Sequence, residues 1–174
     1  MIKKVLKNST LILLGLVFST SVFGQLPNPA MVGYWQNWTG WNFLELKDID
    51  SRYNVIQISF ATGQDGKDYD LGFSPAYDET EFRADMQALQ ADGKKVLISL
   101  GGQNDQVMLD SLAEKEVFVS SINNMIDTWG FDGLDIDLEG SSLSFTDINI
   151  EDPGDIRMKY MIDGIREIMT NYYE

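Results

Sequence analysis

Two short runs, residues 55–61 and 96–100, are apolar at almost every position. A strand reads this way when both of its faces are buried. A third run at 31–34 precedes them, and the stretches between have helical spacing instead. One opens at Asp78 with Glu81 three residues on, places Phe82, Met86 and Leu89 on one stripe, and stops at Gly93. A second aligns Phe118, Ile122, Met125 and Trp129, and a third follows Pro153-Gly154-Asp155 with Met158, Met161, Ile162, Ile165 and Met169. Strand starts recur about every 24–40 residues, the spacing of strand–helix units. Strands buried on both faces and separated by helices predict an α/β protein with a parallel sheet.

One strand breaks the apolar rule. In Phe131-Asp132-Gly133-Leu134-Asp135-Ile136-Asp137-Leu138-Glu139 the residues alternate with period two. Leu134, Ile136 and Leu138 share one face; Asp135, Asp137 and Glu139 share the other, with Cα atoms roughly 6–7 Å apart from one to the next. An ordinary surface strand also alternates, but three acids in a row repel one another, and no Lys or Arg of the segment relieves them. In a chain of buried strands the acids line an interior, which is costly unless they share protons and hydrogen bonds. The pattern predicts a carboxylate active site. Asp132 has the opposite parity to the other acids and is read as structural, at the start of the strand.

In parallel sheets chemistry collects at the carboxyl ends of the strands. Trp35 and Trp38, Phe60, Gly101-Gly102 and Glu139 each follow a different predicted strand at that end. Trp35, Trp38 and Trp41 are candidate stacking platforms for sugar rings, with Trp38 favoured; core or rim packing is the alternative for each. Gly101-Gly102 suits a tight turn beside the site.

Composition removes whole classes of chemistry. The 174 residues contain neither Cys nor His, so disulfides, thiolate zinc sites, Cys nucleophiles and Ser-His triads are excluded. Lys plus Arg number 13 against 27 acids, net −14, which argues against a nucleic-acid or anionic-membrane partner and suits a neutral ligand such as a sugar. A metal held by Asp135, Asp137 and Glu139 is disfavoured, because a strand spreads ligands along a line rather than around an ion; no metal or cofactor is expected. Residues 1–24 read as a secretory signal peptide, with Lys3, Lys4 and Lys7 before a short apolar core and cleavage after Gly24. The apolar core, Leu11 to Phe18, is well under the ~20 residues a membrane span needs, so a secreted product without membrane attachment is expected.

Asp132-x-x-Asp135-x-Asp137-x-Glu139 resembles the DxxDxDxE signature of family 18 glycoside hydrolases, the chitinases and their relatives, and Ser99-Leu100-Gly101-Gly102 resembles that family's SxGG motif. The two stand in the family's order, about 30 residues apart. Val32-Gly33-Tyr34-Trp35 and Ile58-Ser59-Phe60-Ala61 look like its first and second strands. The resemblance implies a (β/α)8 TIM barrel, of which residues 25–174 would be the N-terminal half, about the first four βα units; an eight-stranded barrel needs about 200–250 residues or more. It implies retaining, substrate-assisted hydrolysis of β-1,4-linked N-acetylglucosamine polymers, with chitin or a chito-oligosaccharide as partner. Glu139 would be the general acid, and Asp137 would hold the substrate acetamido N–H. Asp135 would share a proton with Asp137 and be steadied by Tyr34 and Ser99. The alternatives are an endo-β-N-acetylglucosaminidase acting on glycoproteins and a chitin-binding lectin with an idle site.

Overall fold

The computed structural model describes residues 26–143, 149 and 151–173. The expected signal peptide and its cleavage site lie outside the described residues. Eight elements carry the fold: β1 (Val32–Gln36), β2 (Val55–Gln64), β3 (Lys67–Gly72), α1 (Glu79–Ala91), β4 (Lys95–Gly101), α2 (Leu112–Trp129), β5 (Gly133–Asp137) and α3 (Ile156–Tyr173). Strands β1, β2, β4 and β5 form a parallel sheet in that order. This is the predicted arc of four parallel strands, but β1 reaches β2 through a loop with a single 3-10 turn at Leu46–Asp48, and α-helices follow only the later strands.

The sheet has two different faces. Ile56 and Ile58 of β2 and Val96, Ile98 and Leu100 of β4 point to the helices and are buried. Each such side chain contributes about 1.5–3 kcal/mol relative to exposure. Trp35 of β1 lies on the same side, 6 % exposed, against Phe43, Tyr77 and Phe82, with its indole N–H donating to the Leu44 carbonyl at 2.8 Å. It is a core residue, not a sugar platform, because odd positions of β1 face the helices. The opposite face carries Tyr34, Gln57, Ser59, Ser99 and Asp135. Tyr34 is 52 % exposed there.

The helices start where their caps dictate. Asp78 accepts from the backbone N–H groups of Thr80 and Glu81, while the reciprocal capping box is at α2, between Ser111 and Glu114. Gly130, with φ of 80°, closes α2. Phe82, Met86 and Leu89 bury the stripe of α1, and Phe118, Ile122 and Met125 that of α2. On α3 the buried positions are Met161, Gly164 and Ile168, and Met169 is 52 % exposed. The inward stripe runs 161, 165, 168, one step off the predicted end, as the 3.6-residue period requires.

One boundary and one additional strand differ from expectation. Strand β2 runs on to Gln64 and turns back as β3, which pairs with it antiparallel. Asp65 and Gly66 both have positive φ, 51° and 75°, as a two-residue type I′ hairpin demands. The Ser121 hydroxyl of α2 donates to no strand group here; it accepts from the Leu71 N–H of β3 at 3.2 Å and so ties the hairpin to the helix layer.

Asp132 is buttressed at the foot of β5. Its Oδ2 accepts from the Val96 N–H and the Gln90 amide, each at 2.9 Å, and its Oδ1 pairs with Lys95 Nζ at 2.8 Å. One carboxylate thus joins the starts of β4 and β5 and the end of α1.

Candidate active site

Register brings the polar residues together. Ser59 is opposite Ser99, and Ser99 is opposite Asp135. Adjacent strands lie about 4.8 Å apart, so these three form a lateral row on the open face. Tyr34 and Gln57 are paired in the row below. From there both reach Asp135. The Tyr34 hydroxyl donates to Asp135 Oδ2 at 2.9 Å, the Ser99 hydroxyl to the same oxygen at 2.8 Å, and Gln57 Nε2 to Oδ1 at 2.5 Å. Burial and the Asp135 carboxylate raise the Tyr34 phenol to about 12, so it remains a proton donor throughout the neutral range.

Asp137 is opposite Gly101, one step further toward the carboxyl end. The Gly102 N–H donates to the Asp137 carbonyl at 2.6 Å. Gly101 and Gly102 have φ of 100° and 75°, the region that disfavours any side chain. A Cβ on Gly101 would sit 2.2 Å from the Asp137 carbonyl oxygen, and one on Gly102 would sit 2.8 Å from the Phe60 ring. The turn therefore needs both glycines for close approach as well as for φ.

Phe60 follows a register shift between Ser59 and Ala61, and the Ser59–Phe60 peptide is cis. Its ring stands 6.3 Å from that of Tyr34 and covers Gly102. Above the strand ends lies an open cleft of about 420 Å³ whose walls include Trp38, Ser59, Phe60, Gly101, Asn104 and Glu139. Trp38 is 49 % exposed. Trp41, at 95 % exposure, is outside the residues that line this cleft. A second cleft of about 340 Å³ runs along the β1 edge, lined by Gly33, Phe43 and Tyr53 among others, and none of the acids of β5 borders it. The strand-end cleft is the candidate site, because it combines the carboxylate at the end of the acid row, Glu139, with the exposed aromatic face of Trp38.

The structure thus gathers Tyr34, Ser99 and Asp135 into direct contact, and places Phe60, Trp38, Gly101 and Glu139 on one cleft. Asp137 joins through its backbone. Gln57 is the contact that sequence reading missed; its signal was an amide at mid-run in the apolar stretch 55–61, on the same parity as Ser59. Asn37, part of an Asn-x-Thr sequon, also lines the cleft, with its side chain held by the 73–76 loop: its amide donates to the Ser74 carbonyl and accepts from the Ala76 N–H, each at 2.8 Å.

Comparison with known proteins converges on one group. Residues 30–170 match the family model described as glycosyl hydrolases family 18. The chain is 37 % identical over 164 residues to chitinase D of Niallia circulans, covering 88 % of this chain and 31 % of that protein. It is 37 % identical over 161 residues to exochitinase 1 of Streptomyces olivaceoviridis, with 84 % and 27 % covered. The solved structure of a family 18 chitinase from Chromobacterium violaceum superposes with a TM-score of 0.72 at 29 % identity, over 87 % of this chain and 40 % of that one. The chain spans about a third of the length of the curated relatives it matches.

Proposed function

The chain belongs to family 18 of the glycosyl hydrolases, and from that premise we propose that the protein carrying it hydrolyses β-1,4-linked N-acetylglucosamine in chitin or chito-oligosaccharides. The observation that carries the reading is the three-point hold on Asp135 by Tyr34, Ser99 and Gln57, two alternations along the chain from Glu139, which lines the strand-end cleft. A lone acid row on a surface strand has no such built support. Similarity to chitinases at 37 % identity supports the substrate class.

In this mechanism Glu139 gives its proton to the glycosidic oxygen as the bond to the anomeric carbon breaks. The acetamido carbonyl oxygen of the same sugar attacks that carbon, so the substrate supplies its own nucleophile. Asp137 accepts a hydrogen bond from the acetamido N–H and stabilises the positive charge of the oxazolinium ring. Water then adds to the anomeric carbon, losing its proton to Glu139, and configuration is retained. Asp135 lies one alternation below Asp137 and shares its proton. Trp38 and Phe60 offer aromatic faces to the apolar side of the sugar rings, and Asp132 keeps β4 and β5 aligned. Residues 1–24 direct secretion and are removed after Gly24, leaving residues 25–174 as the start of the catalytic domain.

The test is nuclear magnetic resonance of chitotetraose during turnover by the full-length protein. The β-anomer of the new reducing end should form first. Initial release of the α-anomer, or no cleavage, would refute the proposal.

A further inference from the structure

The hold on Asp135 is asymmetric. Oδ2 accepts two hydroxyls, from Tyr34 at 2.9 Å and Ser99 at 2.8 Å, whereas Oδ1 accepts the Gln57 amide. A carboxylate has about four lone-pair positions on two oxygens. The two hydroxyls fill Oδ2. Gln57 takes one position of Oδ1 and leaves one. Asp137 lies two residues on along the same face of β5.

We infer that Gln57 is a positioning residue: by occupying one side of Asp135 Oδ1 it fixes the carboxylate plane and leaves a single direction in which Asp135 can exchange a proton or hydrogen bond with Asp137. The inference rests on the proposed hydrolytic role of the acid row and adds to it a residue outside the row. Three features of Gln57 support it. It meets Asp135 through an amide nitrogen, an atom that can only donate, whereas a hydroxyl oxygen can donate or accept. It lies on the open face between Tyr34 and Leu97 in the lateral register, not under the helices. It is partly buried in a sheet whose other face is fully apolar at Ile56 and Ile58, so its polarity serves the open face alone. Tyr34 and Ser99 by themselves allow rotation about the Cβ–Cγ bond toward either partner, because both act on one oxygen. Gln57 supplies the second anchor that a plane requires.

The test uses two variants of the full-length protein, Gln57→Met, which keeps length and volume without the donor, and Gln57→Glu, which keeps shape and sets a carboxylate acceptor against the Asp135 carboxylate. Crystal structures should show the Asp135 carboxylate rotated in both. With chito-oligosaccharide, kcat should fall about ten- to hundredfold in Gln57→Met, since small misplacements of reacting groups carry losses of that order. KM should stay within about threefold and the thermal midpoint near the parent value, and Gln57→Glu should lose more. An unrotated Asp135 in Gln57→Met together with parental kcat would overturn the inference while leaving the hydrolytic reading intact. If the parent itself cleaves nothing, the hydrolytic reading fails, and the orientation of Asp135 in the variant crystals still decides the role of Gln57. If Gln57→Met does not fold, Gln57→Glu carries the same comparison.

Discussion

Replacing Gly101 by Ala should damage the site through the backbone alone. The new Cβ would stand 2.2 Å from the Asp137 carbonyl oxygen, well inside contact distance. The obstacle is main chain, so no rotamer change relieves it; the ends of β4 and β5 must part by about 1 Å to restore an ordinary carbon–oxygen contact. Ala would also have to hold φ near 100°, and the Gly102 N–H would lose its 2.6 Å bond to the same carbonyl. Together the backbone strain and the lost hydrogen bond amount to about 2–4 kcal/mol. Movement of Asp137 on that scale should lower kcat about a hundredfold. The assay pairs urea denaturation with turnover of a chromogenic chito-oligosaccharide, using the full-length protein. Gly40→Ala is the control, since a Cβ there meets nothing within 4 Å. A Gly101→Ala protein with parental midpoint and parental kcat would refute the reasoning.

Other outcomes follow from the same contacts. The Tyr34 phenol is raised from 10.0 to about 12, so it contributes stability that is full below pH 10 and lost as pH rises through about 12; ultraviolet titration should show its transition missing from Tyr34→Phe, and an unchanged titration curve would contradict this. Asp132→Ala removes the partner of Val96 N–H, Gln90 and Lys95 and should cost about 1–3 kcal/mol in denaturation without a selective loss of kcat. Residues 25–174 expressed alone should associate or aggregate, because β1 and β5 each have one edge without a strand partner among the described residues and Ile136 is 46 % exposed on the helix side; a monomer with a sharp cooperative melt in size-exclusion and thermal measurements would contradict this.

The parallel sheet was legible because β2 and β4 are apolar at most positions and leave no strict period-two signal to mislead. The acid row was legible for the opposite reason: alternation in β5 survives only where one face is functional. Tyr34 and Ser99 came from likeness to a family, since nothing in a hydroxyl residue near a strand end tells which carboxylate it will meet. That depends on register, and register is a property of paired strands. Gln57 was hidden by the same gap; its contact with Asp135 spans 78 positions. The hairpin was the avoidable miss, because Asp65-Gly66 between Gln64 and Lys67 is a type I′ signal visible in the chain. Trp35 was undecided by sequence, since an indole at a strand end serves a core and a sugar equally well; its parity on β1 settles it as core.

The most direct test of the central claim is Glu139→Gln in the full-length protein. The substitution removes the transferable proton and keeps size and polarity. Chito-oligosaccharide should still bind, measured by calorimetry, while kcat falls about 10²–10⁴-fold. Turnover within a few fold of the parent would show that Glu139, for all its place at the end of the acid row on the strand-end cleft, is not the group that protonates the leaving sugar.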